Sequence, residues 1–318
     1  MKIGYHASHE QFSPSQLLAY VQLAEKAGFN AVMSSDHFHP WSENYSQSGF
    51  AWSWLGAAMQ ATSIEFGIVN APGQRYHPAI VAQAVATLDN LFPDRFWIAL
   101  GSGQALNEKI TAQVWPSKEI RHKRLEESVQ IMKRLWSGET VTHYGAIELE
   151  NATLYTRPLS PPFVYGAALT ESTAAWVGTW ANGLITVNQD IHKLQQIVNA
   201  FRMSCPNGAL ALKFQVSYAS TEEDALDSAW MSWRNNTLGN KLQAELALPE
   251  FFDQAGLHVT REHVKSQVLT SNNPSQFIEA IQNYHEMGFD KIIVHNVNQQ
   301  QEEFIGFMGR EVLPFIKE

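Results

Sequence analysis

The sequence predicts an α/β fold of the (β/α)8 TIM-barrel class, and three observations carry that expectation. Short apolar runs of strand type alternate with amphipathic helices along most of the 318 residues. Eight strand-then-helix units can be counted, the number that closes a barrel. The polar segments with the character of a binding site fall after strands, where barrel chemistry sits. A doubly wound sheet is the competing arrangement. It is disfavoured because no Gly-x-Gly-x-x-Gly follows the first strand and because the unit count suits closure.

The elements follow in order. Lys2 to His6 reads as the first strand. Pro14 to Ala27 has helical spacing at Leu17, Leu18, Val21 and Ala24, with Ser13 as N-cap and Gly28 as stop. Ala31 to Ser34 is the second strand and Phe50 to Ala61 its helix. Ile64 to Val69 and Pro78 to Leu91 form the third unit. Arg95 to Leu100 is the fourth strand, followed by a long helix from Lys118 to Trp136. Thr140 to Pro162 breaks the rhythm, and Tyr144-Gly145 between two β-like runs predicts a hairpin. The fifth unit is Phe163 to Gly166 with Glu171 to Trp180, and the sixth Gly183 to Val187 with Asp190 to Arg202. Leu210 to Ser217 with Glu222 to Trp233 is the seventh. Residues from about Asn235 to Asn273 are an insertion before strand eight, Lys291 to His295, and Glu302 to Phe315 closes the chain. The expectation is a single barrel domain over residues 1–318.

Composition narrows the function. A net charge of −9 and a pI near 5.7 argue against a nucleic-acid partner and favour a cytoplasmic protein. No run of about 18 apolar residues or signal segment appears, so no membrane partner is expected. The one cysteine, Cys205, excludes an internal disulfide and a cysteine-rich metal site. The 10 Trp and 17 Phe are mostly core, with a surplus available to wall a pocket for a flat ligand.

Four segments after strands are candidates for chemistry. Asp36-His37-Phe38-His39-Pro40-Trp41 follows the second strand. Imidazole suits proton transfer near neutral pH, Asp36 can orient a ring or accept from a heterocycle, and Trp41 can stack on one. Asn70 to Pro78 follows the third strand and brings Arg75, Tyr76 and His77. Gly101-Ser102-Gly103-Gln104-Ala105-Leu106-Asn107-Glu108 follows the fourth; its glycines admit close backbone approach and Gln104 and Asn107 suit the edge of a flavin-like ring. Leu169-Thr170-Glu171-Ser172-Thr173 follows the fifth and offers N–H and hydroxyl groups to an anion, although Glu171 opposes one and an ordinary helix cap explains the same residues. His37-Phe38-His39 also reads as a His-x-His zinc pair of a hydrolase. Strands five and six add no ligand, so no metal site is expected.

These motifs carry a resemblance. Ser35-Asp36-His37-Phe38 with Pro40-Trp41, Arg75-Tyr76-His77-Pro78-Ala79, Gly101-x-Gly103-x-Ala105-Leu106-Asn107-Glu108, and Leu125-x-Glu127-Ser128 with Leu135-Trp136-Ser137-Gly138 occur in this order. The chain resembles the luciferase-like flavin oxidoreductase superfamily, and within it the glucose-6-phosphate dehydrogenases that use the deazaflavin coenzyme F420. The likeness is strong from about Lys2 to Gly183 and fainter to the C-terminus. It implies a dimeric barrel with a flavin or deazaflavin over the strand ends and a small-molecule substrate. It implies that His37 is the base, that Trp41 lines the reaction site and that Asp36 binds the ring. Val69, Asn70 and Ala71 match a bulge with a non-proline cis peptide behind the ring. Gly103, Gln104 and Asn107 are the candidates for the ring edge, and the Leu169, Thr170, Ser172 and Thr173 turn matches the phosphate-binding site.

The departures from that pattern are specific. The family has glutamate where this chain has Gln104, and a Gly-Gly pair where it has Leu169-Thr170. A lysine and an arginine that grip a sugar phosphate fall near Asp190 and Gln267, with Lys241 close to a second lysine. Glucose-6-phosphate is therefore not the expected substrate. FMN is the expected cofactor, with coenzyme F420 as the alternative and a non-catalytic flavin binder as a further one.

Overall fold

The computed structural model describes residues 1–45 and 47–316. In chain order it runs β1 (Lys2–Ala7), α1 (Pro14–Ala27), β2 (Ala31–Ser34), α2 (Ala51–Ala61), β3 (Glu65–Asn70), α3 (Pro78–Leu91), β4 (Phe96–Leu100), α4 (Ala105–Glu108) and α5 (Lys118–Trp136). The hairpin β5 (Thr140–Tyr144) and β6 (Glu148–Thr153) follows, then β7 (Phe163–Ala167), α6 (Glu171–Val177), β8 (Gly183–Val187), α7 (Ile191–Ser204), β9 (Ala209–Ser217) and α8 (Glu222–Trp233). The last part holds α9 (Asn240–Glu245), α10 (Pro249–Gly256), α11 (Arg261–Lys265), β10 (Leu269–Thr270), α12 (Pro274–Glu286), β11 (Lys291–Asn296) and α13 (Gln301–Phe307).

Parallel strands close on themselves in the order β11-β1-β2-β3-β4-β7-β8-β9, and β9 pairs back to β11. This is the expected eight-stranded barrel. β5 and β6 stand apart as an antiparallel pair, and β10 adds two residues to the end of β9. Period-two alternation sorts the strand side chains into two sets. Ala31, Met33, Trp97, Ala99, Tyr165, Ile185, Ala211 and Ile293 fill the barrel, while Phe66, Ile68, Leu100 and Val164 pack outward beneath the helices. The interior is uneven in size. Trp97 and Tyr165 meet edge to face with ring centroids 5.1 Å apart, and Gly67 leaves the space that the indole occupies.

Local signals place most helices where the sequence predicts them. Ser13 and Gln16 form a capping box at α1, Pro14 is its first residue, and Gly28 ends it. α1, α3, α5 and α8 match their expected spans. α6 stops at Val177 rather than Trp180, with Gly178 as its C-cap. Asp190 is the N-cap of α7, not its first turn. The insertion is not featureless. It carries α9, α10, α11 and β10, and α12 follows it, a helix the sequence reading did not assign despite Asn273 as cap, Pro274 next to it, and Phe277 and Ile281 turned inward. The expected non-proline cis peptide near Val69 to Ala71 is not found: no cis bond occurs among the described residues. β3 stays in register with β4 through Asn70, whose carbonyl accepts from Gly101 N–H at 3.0 Å, so the ladder carries the backbone straight through. No helix among the described residues is long and apolar enough to cross a membrane.

A Cβ on Gly67 would collide with the Trp97 indole, whereas one on Gly56, inside α2, would meet nothing within 4 Å. Gly67→Ala should therefore destabilise by about 1–3 kcal/mol through overpacking. Gly56→Ala should stabilise by about 0.5–1 kcal/mol through helix propensity. Urea denaturation of both variants measures the contrast.

Candidate active site

The site begins with three charged side chains from three strand ends. Asp36 follows β2, Arg75 follows β3 and Glu108 ends α4 after β4. Asp36 Oδ2 accepts from Asn70 Nδ2 at 2.7 Å and Oδ1 from the Tyr76 hydroxyl at 3.1 Å. Arg75 donates to the Asp36 carbonyl at 2.8 Å and lies 3.4 Å from its carboxylate. It also lies 3.5 Å from Glu108, which accepts the Arg75 N–H at 2.7 Å. The side chains of Asp36, Arg75 and Glu108 are 1%, 9% and 3% exposed. Burial pushes the Glu108 carboxyl up, against the pull of Arg75. His77, by contrast, is exposed, caps α3 and reaches the Glu148 carbonyl of the hairpin.

His37 turns away from this cluster to Glu10, which follows β1. His37 Nδ1 lies 3.0 Å from Glu10 Oε1, and Glu10 Oε2 accepts from Ser8 at 2.9 Å and Ser35 at 2.7 Å. The Nδ1 edge is enclosed, so Nε2 is the ring atom open to the cavity. Burial holds the imidazole below its ordinary range, with Glu10 pulling the other way. Burial alone would raise the Glu10 carboxyl; the His37 charge and the Ser35 hydroxyl outweigh it and hold it below the usual range. The pair is thus carboxylate and neutral imidazole at neutral pH. Trp41 lies 5.0 Å from the His37 ring and packs edge to face on Phe252 of α10 at 5.0 Å. His39 takes a different path, with Nδ1 on the Leu106 carbonyl at 2.8 Å. His37 and His39 therefore do not converge, and no group of three metal-ligating side chains occurs among the described residues.

Asp36, His37 and Trp41 line one cavity of about 820 Å³ at the strand C-terminal ends. Val69, Asn70 and Ala71 line it from β3, and Gly103, Gln104 and Asn107 from β4. Gly103 takes φ 79°, a left-handed conformation that favours glycine. Asn107 also holds the neighbouring loop, its Oδ1 accepting the N–H groups of Phe38 at 2.9 Å and His39 at 3.3 Å. Leu169, Thr170 and Thr173 line the far wall; Ser172 is exposed and does not. Thr170 Oγ1 is engaged as the α6 cap with Thr173, and Lys118 donates to Thr173 Oγ1 at 3.2 Å.

Several contributors escaped the sequence reading. Glu10 sits in Ser8-His9-Glu10-Gln11, a polar run after the first strand, and the strand-end criterion used elsewhere would have found it. Lys213 breaks the apolar run of β9 at an inward position, which is also a visible signal. The insertion roofs the site: Asn236, Lys241, Gln243 and Glu245 line the cavity, and Trp41, Leu106 and Phe252 form a separate apolar cluster beneath it. Nothing local in sequence announces that. Asp190 is bound to its own helix start, accepting from His192 and Lys193 N–H groups.

The residues fit a flavin or deazaflavin ring system. The cavity volume suits such a ligand. Asn70 Oδ1 is buried without a partner and can accept a ring N–H. Gln104 offers an amide at the same wall, and Lys118 sets a cation beside the α6 turn for a phosphate.

Comparison with known proteins agrees. A family profile described as luciferase-like monooxygenase matches residues 1–291. An F420-dependent glucose-6-phosphate dehydrogenase of Beutenbergia cavernae is 32% identical, covering 100% of this chain and 98% of its own. The enzyme of that name from Nakamurella multipartita is 30% identical, covering 100% and 97%. Among solved structures, an F420-dependent secondary alcohol dehydrogenase in complex with an F420-acetone adduct superposes with a TM-score of 0.91 at 28% identity, covering 100% and 99%. The F420-dependent tetrahydromethanopterin reductase of Methanopyrus kandleri shares the fold, with a TM-score of 0.80 at 18% identity over 99% of each chain.

Two outcomes follow from the electrostatics. Arg75→Met strands two buried carboxylates and should destabilise by about 3–5 kcal/mol in urea denaturation. The second concerns acid. Burial pushes His9 down to about 4 and holds His6 and His295 well below the imidazole range, with His37 also lowered. An unfolded chain takes up these protons near pH ~6.5, the folded chain only below it. Stability is therefore full above about pH 6.5 and lost as the pH falls from there toward 4. Urea midpoints should track that decline, and His9→Phe, which keeps the ring against Trp54, should make it shallower.

Proposed function

The chain belongs to the luciferase-like monooxygenase family of oxidoreductases, and within it we propose a flavin-dependent dehydrogenase acting on a small organic alcohol. The observation that carries this reading is the 3.0 Å contact between Glu10 and His37 beside Trp41, inside the strand-end cavity. A flavin-type ring, when bound, accepts hydride from a substrate carbon. The proton is the chain's own part. Neutral His37 keeps its enclosed Nδ1 edge 3.0 Å from the Glu10 carboxylate and offers Nε2 to the substrate hydroxyl proton. The Glu10 charge steadies the imidazolium that results. The alcohol loses a hydride and a proton and becomes a carbonyl compound. Trp41, held by Phe252, walls the reacting groups from solvent. Asp190 is committed to its helix cap where the family pattern has a cation, so a sugar phosphate is not the substrate proposed.

FMN is the cofactor this reading takes. Gln104 is a neutral amide where F420-using relatives carry an acid, and it can hydrogen-bond a reduced ring that stays anionic at N1. Leu169-Thr170 likewise replaces their Gly-Gly turn. Coenzyme F420 is the second reading, favoured by the names of relatives that span the whole chain.

The absorption spectrum of the purified protein and the mass of its released cofactor test the choice, followed by titration of apoprotein with FMN and F420. Tighter binding of F420 would replace the first reading by the second. With FMN, Gln104→Glu should weaken binding of the reduced anionic form. His37→Ala should slow hydride transfer about 10²- to 10⁴-fold with little change in cofactor affinity. His39→Ala should slow it far less, since the His39 ring is bound to the Leu106 carbonyl of α4. Equal losses in both variants would count against proton transfer by His37.

A further inference from the structure

We propose that Lys213 is the anion-recognising residue of the substrate site, and that the alcohol oxidised carries a carboxylate. This rests on the dehydrogenase reading above. Lys213 lies on the inward row of β9, in the position after Ala211, which fills the barrel. It lines the active-site cavity together with Gln215, the next residue of that row. The cofactor-type residues Asp36, Val69 to Ala71, Gly103 to Asn107 and Leu169 to Thr173 belong to the ends of β2, β3, β4 and β7. Lys213 stands on the remaining side, with Glu10 and His37, where a substrate would meet its base.

Among the described residues the ammonium makes no ion pair and no side-chain hydrogen bond. The buried ammonium of Lys291, by contrast, has Glu65. Glu10 is the acid that acts on Lys213, but its two oxygens serve His37, Ser8 and Ser35. What surrounds Lys213 is otherwise aromatic. Its Nζ lies 5.4 Å from the Trp233 ring centroid, and His295 packs on that indole at 4.7 Å and on His6 at 4.3 Å. An unpaired buried cation is costly unless a ligand supplies the charge. The Lys213 ammonium and the Gln215 amide, on one row of β9 and both lining the cavity, match a single carboxylate. Burial pushes Lys213 down to about 8, with Glu10 acting the other way. The other titratable groups facing it are Glu10, His6, His37 and His295; all four hold one charge state from neutral pH upward, so Lys213 alone changes through about pH 8.

Calorimetric titration of the cofactor-loaded protein with acetate, glycolate and 2-propanol tests this. Both carboxylates should bind, and their affinity should fall as the pH rises through about 8, where Lys213 loses its charge. Lys213→Gln should weaken carboxylate binding about 10- to 100-fold, the loss expected for one charge-assisted hydrogen bond, and raise KM for a hydroxy acid more than it lowers kcat. Lys213→Arg should restore most of the affinity. Unchanged carboxylate affinity in a folded Lys213→Gln, or a flat pH profile in the wild type, would overturn the assignment. Lys213-dependent carboxylate binding with no hydroxy acid able to reduce the cofactor would keep the anion site and remove the dehydrogenase reading.

Discussion

The mouth of this barrel is organised around a buried guanidinium. Arg75 stands between the carboxylates of Asp36 and Glu108, each from a different strand end, and all three side chains are withdrawn from water. Two buried carboxylates at one site are costly to keep ionised without a cation, and a planar guanidinium can serve both at once. The arrangement therefore locks the segments after β2, β3 and β4 to one another. Asn70 and Tyr76 complete the hydrogen bonding of Asp36, and Asn107 then holds the backbone of Phe38 and His39. The loop that carries His37 and Trp41 is fixed at both ends as a result. The placement of His37 is thus inherited from a cluster that His37 itself does not join.

From that anchor the cavity divides into two kinds of wall. The ends of β3, β4 and β7 present glycines, amides and hydroxyls, which suit a flat, uncharged ring with a hydrogen-bonding edge. The ends of β1, β9 and β11 present titratable groups in a low-dielectric setting. There, burial drives His6, His9 and His295 neutral, while the His37 charge and the Ser35 hydroxyl hold Glu10 as the carboxylate against its burial. Neutral imidazole beside carboxylate is the state a proton acceptor needs. The insertion between α8 and α12 closes the roof. Asp253 accepts from Ser42, Glu43 and Asn235, which ties this segment to the loop after Trp41. Trp41 then has Phe252 and Leu106 as neighbours rather than solvent.

Much of this was legible along the chain because it depends on local chemistry. Alternating periods of two and 3.6 gave the eight strands and most of the helices, and Ser13, Pro14 and Gly28 bounded α1 as their backbone preferences require. Asp36, His37, Trp41, Asn70 and Gln104 were found by one rule, that polar residues after barrel strands face the site. Applied to the first strand, that rule would have added Glu10. The missed helix α12 shows its cap and apolar face plainly once the insertion is not treated as one irregular segment.

The sequence by itself determined the fold class, the family and the set of strand ends that line the cavity, because period, capping and motif order are properties of neighbouring residues. Tertiary structure alone decided which partner each of those residues takes. That His37 turns to Glu10 while His39 turns to a backbone carbonyl, that Asn107 holds a loop, that Ser172 lies outside the cavity, and that Lys213 finds no counter-ion among the described residues all depend on contacts between residues far apart in the chain. Burial and charge pairing are set by what the closed barrel brings together, and closure joins β1 to β11 across nearly the whole length of the sequence.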